Sequence, residues 1–338
     1  MKHRIALVGF GTVGQGLVEI LLRKQEELKV RYGYEFEMVG ISDIAWGTAY
    51  NPDGLDMNAM LAAARSKKKF PCDLRQWDAL TMIKESNATV VCELAFTDLE
   101  KGEPAISHCK AAFATGKHVV TSNKGPAALA YRELKTLAGE KGLHFLIEGT
   151  VMSGTPVLNL TEGPLAGCEI IAARGILNGT TNYILTQMEE GMSYEEALEK
   201  AQELGYAEAD PTGDVEGYDA RGKVTILSNV VMNAALKISD VSCKGITQLT
   251  LEDIQQAKKK GVRWKLIGSV KKTGDRVAAA VAPEMLSLSH PLAGVMGAVN
   301  AVTFTTDLLK DVTVVGPGAG RIETGFSILT DLLRIHRS

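Results

Sequence analysis

The residues whose types and spacing could do chemistry are concentrated in one segment, 205–223, which reads GYAEADPTGDVEGYDARGK. Its charged candidates are five carboxylates and a lysine: Glu208, Asp210, Asp214, Glu216, Asp219 and Lys223. Asp219 and Lys223 are four residues apart at the predicted start of a helix, so they share one face and can touch. The pattern fits a solvated acidic loop beside a weak surface ion pair. On local pattern alone that interpretation is favoured, because acidic loops are common and surface pairs are weak. The pattern also fits a carboxylate cage for a cationic substrate group, with a lysine ready for proton transfer.

Two predicted helices flank this acidic segment and must position it. Ser193 and Glu196 form a capping-box pattern, and apolar residues at helical spacing follow as far as Leu204. Prolines and glycines then predict irregular structure through the segment itself. The second helix is predicted from an apolar face made by Val224, Leu227, Val231 and Ala234.

A second candidate site lies near the start of the chain. Residues 4–8 form a short apolar run, typical of a buried parallel strand, which leads into Gly9-Phe10-Gly11-Thr12-Val13-Gly14. This GxGxxG match precedes an apolar-faced segment that predicts a helix. In that context the glycines let the backbone approach a pyrophosphate, which binds at the helix N-terminus. The pattern therefore favours a dinucleotide site over a plain strand, turn and helix.

Asp43 is the candidate that bears on which dinucleotide is bound. It ends the predicted second strand, residues 36–42, where an acid can accept hydrogen bonds from the adenosine ribose and would repel a 2′-phosphate. Its spacing from Gly14 is longer than usual, because the intervening helix is long. Trp46 and Gly47 follow it, with no arginine directly after it. These features favour NAD over NADP.

Lys124 follows another predicted strand, residues 118–121, within the sequence SNKGP. In doubly wound sheets, ligands bind at the carboxyl ends of the strands. Lys124 therefore faces either the cofactor and substrate or, as an ordinary turn lysine, the solvent.

A polar turn at 148–156, EGTVMSGTP, follows the last predicted strand of the first domain. A buried carboxylate at Glu148 beside backbone carbonyls would suit a hard monovalent cation, by analogy with other oxygen-ligand sites.

Composition excludes several classes of function. Hydrophobic residues make up 45 % of the 338-residue chain, charged residues 23 %, and the formal net charge is −3. These values are ordinary for a soluble globular protein of one or two domains. They give no global electrostatic reason to bind nucleic acid or an anionic membrane.

Cysteine usage and hydropathy favour a cytoplasmic protein. The five cysteines are odd in number and scattered without CxxC spacing, which argues against a disulfide framework or a zinc site. Glycines interrupt the first apolar run too early for a signal peptide. No apolar stretch approaches the ~20 residues of a membrane span.

The predicted fold class is α/β: an N-terminal Rossmann, doubly wound domain followed by an α+β lobe. Strands at 169–177, 262–270, 277–281 and 301–304 define that lobe. A glycine-rich turn at 314–320 and a helix at 324–335 form the tail, which could close over the cofactor.

Motifs for other chemistries are absent from the sequence. There is no Walker motif, and the histidines fall in no catalytic or metal-ligand pattern: His3, His108, His118, His144, His290 and His336. With a dinucleotide fold, carboxylates and a lysine most naturally serve hydride transfer. A lysine ammonium can protonate the alkoxide formed when a carbonyl takes hydride, and carboxylates can hold a substrate ammonium.

The chain closely resembles homoserine dehydrogenases of the short form, without a fused aspartate kinase or a regulatory domain. The resemblance covers nearly the whole sequence. Its motifs occur in order: GFGTVG at 9, GEPA at 102, GKHVVTSNKGP at 116, EGTVMSGTPV at 148, GILNGTTNYIL at 175, LGYAEADPTGDVEGYDARGK at 204 and GPGAG at 316. Arg221-Gly222 and 321–323 depart from the family pattern.

The resemblance implies roles for individual residues. Lys223 is similar to the general acid/base and Lys124 to a second active-site lysine near nicotinamide. Glu208, Asp214 and Asp219 resemble the substrate-binding carboxylates. Glu148 and the carbonyls of Val151, Ser153 and Thr155 resemble a sodium site. Cofactor-contacting positions are matched by Phe10, Thr12, Val13 and Gly320.

It also implies an activity, the NAD- or NADP-dependent interconversion of L-homoserine and L-aspartate 4-semialdehyde, in a homodimer. The implied domains are 1–148 for the cofactor, 149–312 for substrate, catalysis and dimerisation, and 313–338 returning to the first domain. Two alternatives remain: a related dehydrogenase of another amino alcohol or aldehyde, and a non-catalytic dinucleotide sensor.

Overall fold

The computed structural model describes residues 2–338, which form two compact units. The first unit comprises residues 2–154 together with Gly320–Ser338, and the second comprises Thr155–Ala319. The predicted domain limits at 148/149 and 312/313 stay a prediction, and the bounds of the units are used below.

The strands, in chain order, are β1 Lys2–Val8, β2 Glu35–Asp43, β3 Gly47–Tyr50, β4 Leu74–Arg75, β5 Val90–Glu93, β6 His118–Thr121, β7 Phe145–Leu146, β8 Ile170–Ile176, β9 Ser242–Cys243, β10 Val262–Thr273, β11 Arg276–Ser287, β12 Val299–Thr306 and β13 Lys310–Pro317.

The α-helices are α1 Thr12–Tyr32, α2 Met57–Arg65, α3 Ala79–Glu85, α4 Ala105–Ala114, α5 Lys124–Leu129, α6 Tyr131–Gly139, α7 Leu158–Glu162, α8 Gly179–Glu190, α9 Tyr194–Glu203, α10 Thr212–Val215, α11 Tyr218–Val231, α12 Leu251–Lys259 and α13 Arg321–Arg337. Short 3₁₀ turns occupy Glu148–Thr150 and Ile238–Asp240. Within residues 2–338, no helix is both long and apolar enough to cross a bilayer.

The first unit is built on a seven-stranded sheet of order β4-β3-β2-β1-β5-β6-β7. Strands β2, β1, β5, β6 and β7 are parallel, and β3 and β4 extend the β2 edge in antiparallel fashion. Strand β1 has β2 on one side and β5 on the other. The direction in which successive strands are added to the sheet therefore reverses at β1. Ligands bind at such a switch point in doubly wound sheets. The predicted Rossmann fold class is confirmed.

Helices α1 and α13 pack closely against each other within the first unit. A Cβ on Gly16 would collide with the Arg321 carbonyl, and one on Gly325 would lie 2.6 Å from the Leu17 nitrogen. The two helices also share the core beneath the sheet through Leu17 and Leu332. Glycine is therefore required at both positions for the close helix contact.

The second unit is built on a six-stranded sheet of order β13-β12-β8-β10-β11-β9. All neighbouring pairs are antiparallel except β11 and β9. Helices α8, α11 and α12 contact β10. This confirms the predicted α+β lobe. Its sheet carries α8 and α11, whose N-termini bring the candidate site together.

Two local predictions were wrong. Residues 211–217 are not wholly irregular, since α10 occupies Thr212–Val215 after Pro211, whose fixed φ suits a helix start. The predicted glycine-rich turn begins too early, because Val314 pairs with Val302 and belongs to β13. At β13, pairing with β12 overrides the glycine signal.

Candidate functional site

The turn after β1 has the shape that a dinucleotide needs. Gly9 has φ +95°, and a Cβ there would lie 2.5 Å from the Leu94 carbonyl oxygen, so the turn tolerates only glycine. A Cβ on Gly14 would lie 2.7 Å from the Gly9 carbonyl oxygen. A Cβ on Gly11 would meet no described atom within 4 Å. The space over Gly11, at the N-terminus of α1, is therefore open for a phosphate to approach the backbone.

Asp43, the last residue of β2, is tied to the same turn. Its Oδ2 accepts the Phe10 N–H at 2.7 Å, and its Oδ1 accepts the Ala45 N–H at 2.8 Å. Each carboxylate oxygen keeps further acceptor capacity. The side chain is half-buried and next to Ile44, which is 93 % exposed. The predicted ribose-facing acid is therefore fixed beside the GxGxxG turn.

Lys124 is the first residue of α5, and Asn123 fixes where that helix begins. The Asn123 Oδ1 accepts the Gly125 N–H at 2.9 Å as an N-cap. The Asn123 Nδ2 donates to the Ala95 and Phe96 carbonyls at 3.2 and 2.9 Å. The amide therefore joins the start of α5 to the segment that follows β5. Lys124 is thereby placed at the carboxyl edge of the sheet.

In the second unit, two acids and one lysine from the predicted acidic segment come together. The Lys223 Nζ donates to the Asp219 Oδ2 and to the Leu177 carbonyl, both at 2.7 Å. The Asn178 Nδ2 donates to Asp214 Oδ1 at 2.6 Å and to Asp219 Oδ2 at 3.0 Å. The predicted contact between Asp219 and Lys223 on one helix face is confirmed. We call Asn178, Asp214, Asp219 and Lys223 the carboxylate cluster.

Burial makes it costly to keep the side chains of the carboxylate cluster charged. Lys223 is only 8 % exposed. Burial raises the pKa of Asp214, and the neighbouring Asp219 raises it further, while the Asn178 hydrogen bond and Lys223 lower it. Since charged groups lose hydration here, each must be held by a partner. The interpretation as a merely solvated acidic loop does not fit this part of the segment.

Glu208 differs from the other predicted carboxylates. It lies before α10 and is exposed, and within residues 2–338 its carboxylate makes no hydrogen bond or ion pair. The main-chain carbonyl of Glu208 accepts a hydrogen bond from the Gln202 side chain at 3.0 Å. The protein thus holds Asp214 and Asp219 in place but leaves the Glu208 side chain to solvent.

The residues of the predicted sodium site lie in both units. Glu148, Val151 and Ser153 are buried in the first unit, at 2, 0 and 4 % exposure. Ser153 has φ +54°, and its hydroxyl lies 2.7 Å from the Thr324 hydroxyl. Thr155 begins the second unit. Residues 2–338 contain no cluster of three or more histidine, cysteine or acidic side chains placed for a metal.

Gly320, the last predicted cofactor contact, is the N-cap of α13. Its φ is +138°, and a Cβ would collide with the Glu323 carboxylate. The residue belongs to the same unit as the GxGxxG turn. Glycine is required here for the chain to enter α13.

Asn178 is the residue at this site that the sequence reasoning missed. Asn178 lies directly before α8 and is its N-cap, with the Thr181 N–H donating to Asn178 Oδ1 at 2.9 Å. Its contact with Asp214 spans 36 positions in sequence. A local pattern can predict the cap, but not a contact of that range.

Comparisons with known proteins point to one family. A family profile described as "Homoserine dehydrogenase, NAD binding domain" matches residues 9–148, and one described as "Homoserine dehydrogenase" matches residues 156–333. The chain is 47 % identical to an NAD(+)-dependent homoserine dehydrogenase of Pseudomonas canavaninivorans, covering 100 % of this chain and 97 % of the relative. It is 44 % identical to a homoserine dehydrogenase of Methanocaldococcus jannaschii, covering 99 and 98 %.

A solved structure agrees with these relatives. A hyperthermophilic archaeal homoserine dehydrogenase in complex with NADPH is similar to this chain with a TM-score of 0.85 and 30 % identity. The match covers 100 % of this chain and 98 % of that one. The structural comparison and the sequence comparisons therefore indicate the same family over the whole length of the chain.

Proposed function

The chain belongs to the homoserine dehydrogenase family of NAD(P)-dependent oxidoreductases, and on that premise we propose how its residues perform the family's reaction. That reaction interconverts L-homoserine and L-aspartate 4-semialdehyde. When bound, the nicotinamide supplies or accepts the hydride. The residues of this chain must bind the substrate, orient it, and move one proton.

Lys223 is the proton-transfer group in this proposal. The observation that supports this role is that the Lys223 Nζ donates to both the Leu177 carbonyl and Asp219 at 2.7 Å. A lysine ammonium has three N–H donors, so one remains for the substrate oxygen. That donor protonates the developing alkoxide when the aldehyde is reduced, and the neutral amine takes the proton back when the alcohol is oxidised.

Asp214 and Asp219 bind the substrate ammonium. Both are held in place by Asn178, and charge-assisted hydrogen bonds from an ammonium to carboxylates are short and strong. Glu208 is assigned to the same ammonium, and its exposed side chain would have to be ordered by the substrate. The same residues would discriminate against alcohols that lack a positive charge.

The first unit binds the dinucleotide through the turn after β1. We assign the pyrophosphate to Gly9, Phe10, Gly11, Thr12, Val13 and Gly14, the ribose to Asp43, and further contacts to Lys124 and Gly320. The open space over Gly11 and the absence of acids from the first turn of α1, among the described residues, support this assignment. Lys124 would also act as the second lysine near the nicotinamide and the substrate oxygen.

We further propose that NAD is preferred over NADP. A 2′-phosphate would approach the Asp43 carboxylate, whose ionised form repels it. The 47 % identical relative is described as NAD(+)-dependent, whereas the 30 % identical archaeal structure holds NADPH. The preference is therefore a property to be measured on this chain.

Three further features complete the proposal. Sodium would be held by Glu148 and the carbonyls of Val151, Ser153 and Thr155, a donor set of hard oxygens suited to such a cation. The protein would act as a homodimer in the cytoplasm, where its free cysteines stay reduced. Size-exclusion chromatography tests the dimer. Activity across NaCl and KCl at constant ionic strength tests the sodium site.

The deciding experiment is initial-rate oxidation of L-homoserine, followed as reduced nicotinamide, with NAD and NADP in parallel. Lys223→Met keeps the buried stem but removes the ammonium, and we expect kcat to fall by about 10²–10⁴-fold. Lys200→Met, at an exposed lysine of α9, is the matched control. Retention of most of the kcat by a folded Lys223→Met protein would contradict the assigned role. Turnover of uncharged alcohols as fast as homoserine would contradict the role of the carboxylates.

A further inference from the structure

Asn178 is placed to act on both acids of the carboxylate cluster at once. Its side chain is buried, at 4 % exposure, and its orientation is fixed by the cap of α8. The Oδ1 accepts both the Thr181 N–H at 2.9 Å and the Thr181 hydroxyl at 3.0 Å. Because the oxygen end is held in this way, the Nδ2 end must face the carboxylates.

The two N–H groups of this amide are divided between two negative charges. One is donated to Asp214 at 2.6 Å and the other to Asp219 at 3.0 Å. The Asp219 Oδ2 that accepts from Asn178 also accepts from Lys223. The neutral amide of Asn178 thus holds the carboxylates of Asp214 and Asp219 close together. It also fixes the position of the Asp219 oxygen that accepts from Lys223.

We propose that Asn178 is a positioning residue that keeps Asp214 and Asp219 ionised side by side as a joint receptor for the substrate ammonium. This inference rests on the function proposed above. The alternative is that Asn178 only caps α8. The two roles are separable because one uses the Oδ1 of the amide and the other uses its Nδ2.

Burial and mutual repulsion work against two ionised acids here. The pKa of Asp214 is raised, first by burial and then by Asp219, and the Asn178 hydrogen bond lowers it. Removal of the amide donors therefore raises the pKa of Asp214 further. Protonation of one acid would remove a negative charge from the receptor just where the ammonium binds.

Asn178→Asp separates capping from positioning. Aspartate has nearly the same shape and caps helices as well as asparagine, but its ionised form donates no hydrogen bond and adds a third negative charge. We expect the KM for homoserine to rise about 10- to 100-fold, from the loss of hydrogen bonds to charged groups, with an unchanged KM for the dinucleotide. The acid limb of the kcat/KM profile should move to higher pH.

Two other variants complete the design. Asn178→Ser also keeps a capping oxygen, but it replaces the two amide N–H donors with a single hydroxyl on a shorter side chain. That hydroxyl cannot bridge both acids, so the variant should show the higher KM and the shifted acid limb without the added charge. Ser193→Ala removes the capping box of α9 and serves as the matched control. Its melting temperature should fall, while its KM and pH profile stay those of the parent.

Carboxyl ¹³C NMR of Asp214 and Asp219 provides a readout independent of turnover. Apparent pKa values that rise in Asn178→Asp and Asn178→Ser support the inference. If they rise while KM stays constant, Asn178 still positions the acids, and it is the proposed substrate-binding role of the acids that fails. Unchanged titration of both acids and an unchanged pH profile, in folded variants, would overturn the inference and leave Asn178 as a helix cap.

Discussion

The molecule contains two groups of buried titratable side chains whose surroundings differ: one group is surrounded by hydrogen-bond donors and a cation, and the other by partners that suit a neutral ring. The carboxylate cluster of the second unit keeps its charges and surrounds them with donors. The first unit gathers four histidines, His3, His118, His144 and His336, which we call the histidine cluster; they line one cavity of about 440 Å³. These rings are hydrogen-bonded mainly to each other and to the main chain, which suits their neutral form.

The hydrogen bonds of the histidine cluster specify how its rings are protonated. His336 Nε2 lies 3.1 Å from the Tyr32 carbonyl, which can only accept, so this nitrogen carries a proton. In the neutral ring, His336 Nδ1 then accepts from His3 Nε2 at 3.1 Å. The main-chain N–H of His144 donates to the ring nitrogen Nδ1 of His118 at 3.0 Å. A second proton on either acceptor nitrogen would break one of these bonds.

The pKa shifts show what opposes burial in each cluster. Burial, with a smaller effect of neighbouring groups, lowers the pKa of His3, of His144, and of His118 to about 4. Burial also shifts the pKa of Asp214 toward its neutral form, by raising it, but there the Asn178 hydrogen bond and Lys223 oppose the shift. The comparison teaches that the arrangement of partners, more than burial itself, separates a group prepared to bind a charged ligand from one that holds the fold together.

The sharpest test of this contrast removes a charge from the carboxylate cluster. In Asp219→Asn, Lys223 loses its charged partner and the proposed ammonium receptor loses one acid. Breaking a buried pair costs about 3–5 kcal/mol, so we expect kcat/KM for homoserine to fall by about 10²–10⁴-fold. Initial rates measure this change.

The Asp219→Asn change should leave the histidine cluster intact, because the hydrogen bonds of its rings are all made within the first unit. A kcat/KM within about threefold of the parent would show that the charge has no catalytic role.

The carboxylate cluster was largely predictable, whereas the histidine cluster was not. Asp219 and Lys223 are one helical turn apart, so local periodicity brings them together before any tertiary contact is known. His3 and His336 meet across nearly the whole chain. Their contact depends on the packing of α13 under the sheet, which no local pattern encodes.

The fold shows the same division between local and long-range information. The GxGxxG turn, its strand and its helix were predicted, and so was the capping box at Ser193, because each depends on neighbours in sequence. The short strands β3 and β4 were missed, since their pairing with β2 and with each other supplies the order that their own residues do not.

A second test addresses the histidine cluster by acidification. Because the folded pKa of His118 lies below its unfolded value near 6.5, the unfolded chain binds more protons between pH 6.5 and 4. Stability from His118 is therefore fully present above that window and is lost as the pH falls through it. Allowing for the partial exposure of the ring, we expect a loss of about 1–2 kcal/mol from this residue.

His118→Asn isolates that contribution, since an amide oxygen can replace Nδ1 as the acceptor of the His144 N–H but does not titrate. Urea unfolding at pH 7 and at pH 4.5 should show a smaller acid-induced loss in the variant than in the parent. Activity at pH 7 should be unchanged. Equal losses in both proteins would mean that His118 does not control the acid response.

The smallest expected effect concerns Tyr34, which packs against the histidine cluster. Its ring stacks on His3 at 5.2 Å and meets the edge of His336 at 5.3 Å. Its hydroxyl is buried and, within residues 2–338, has no hydrogen-bond partner. The carboxylate cluster, by contrast, provides Asp214, Asp219 and Lys223 with hydrogen bonds. The hydroxyl of Tyr34 is thus the one polar group in this comparison whose removal should cost nothing.

We expect Tyr34→Phe to leave the free energy of unfolding unchanged or to raise it by up to about 1 kcal/mol, because a buried hydroxyl without a partner carries a desolvation penalty. The matched control is Tyr50→Phe, whose hydroxyl accepts the Asn87 N–H at 3.4 Å and whose loss should be slightly destabilising. Urea unfolding at pH 7 measures both. A loss of more than about 1 kcal/mol in Tyr34→Phe would mean that the hydroxyl stabilises the cluster. The histidine cluster would then depend, like the carboxylate cluster, on a polar partner rather than on neutral packing.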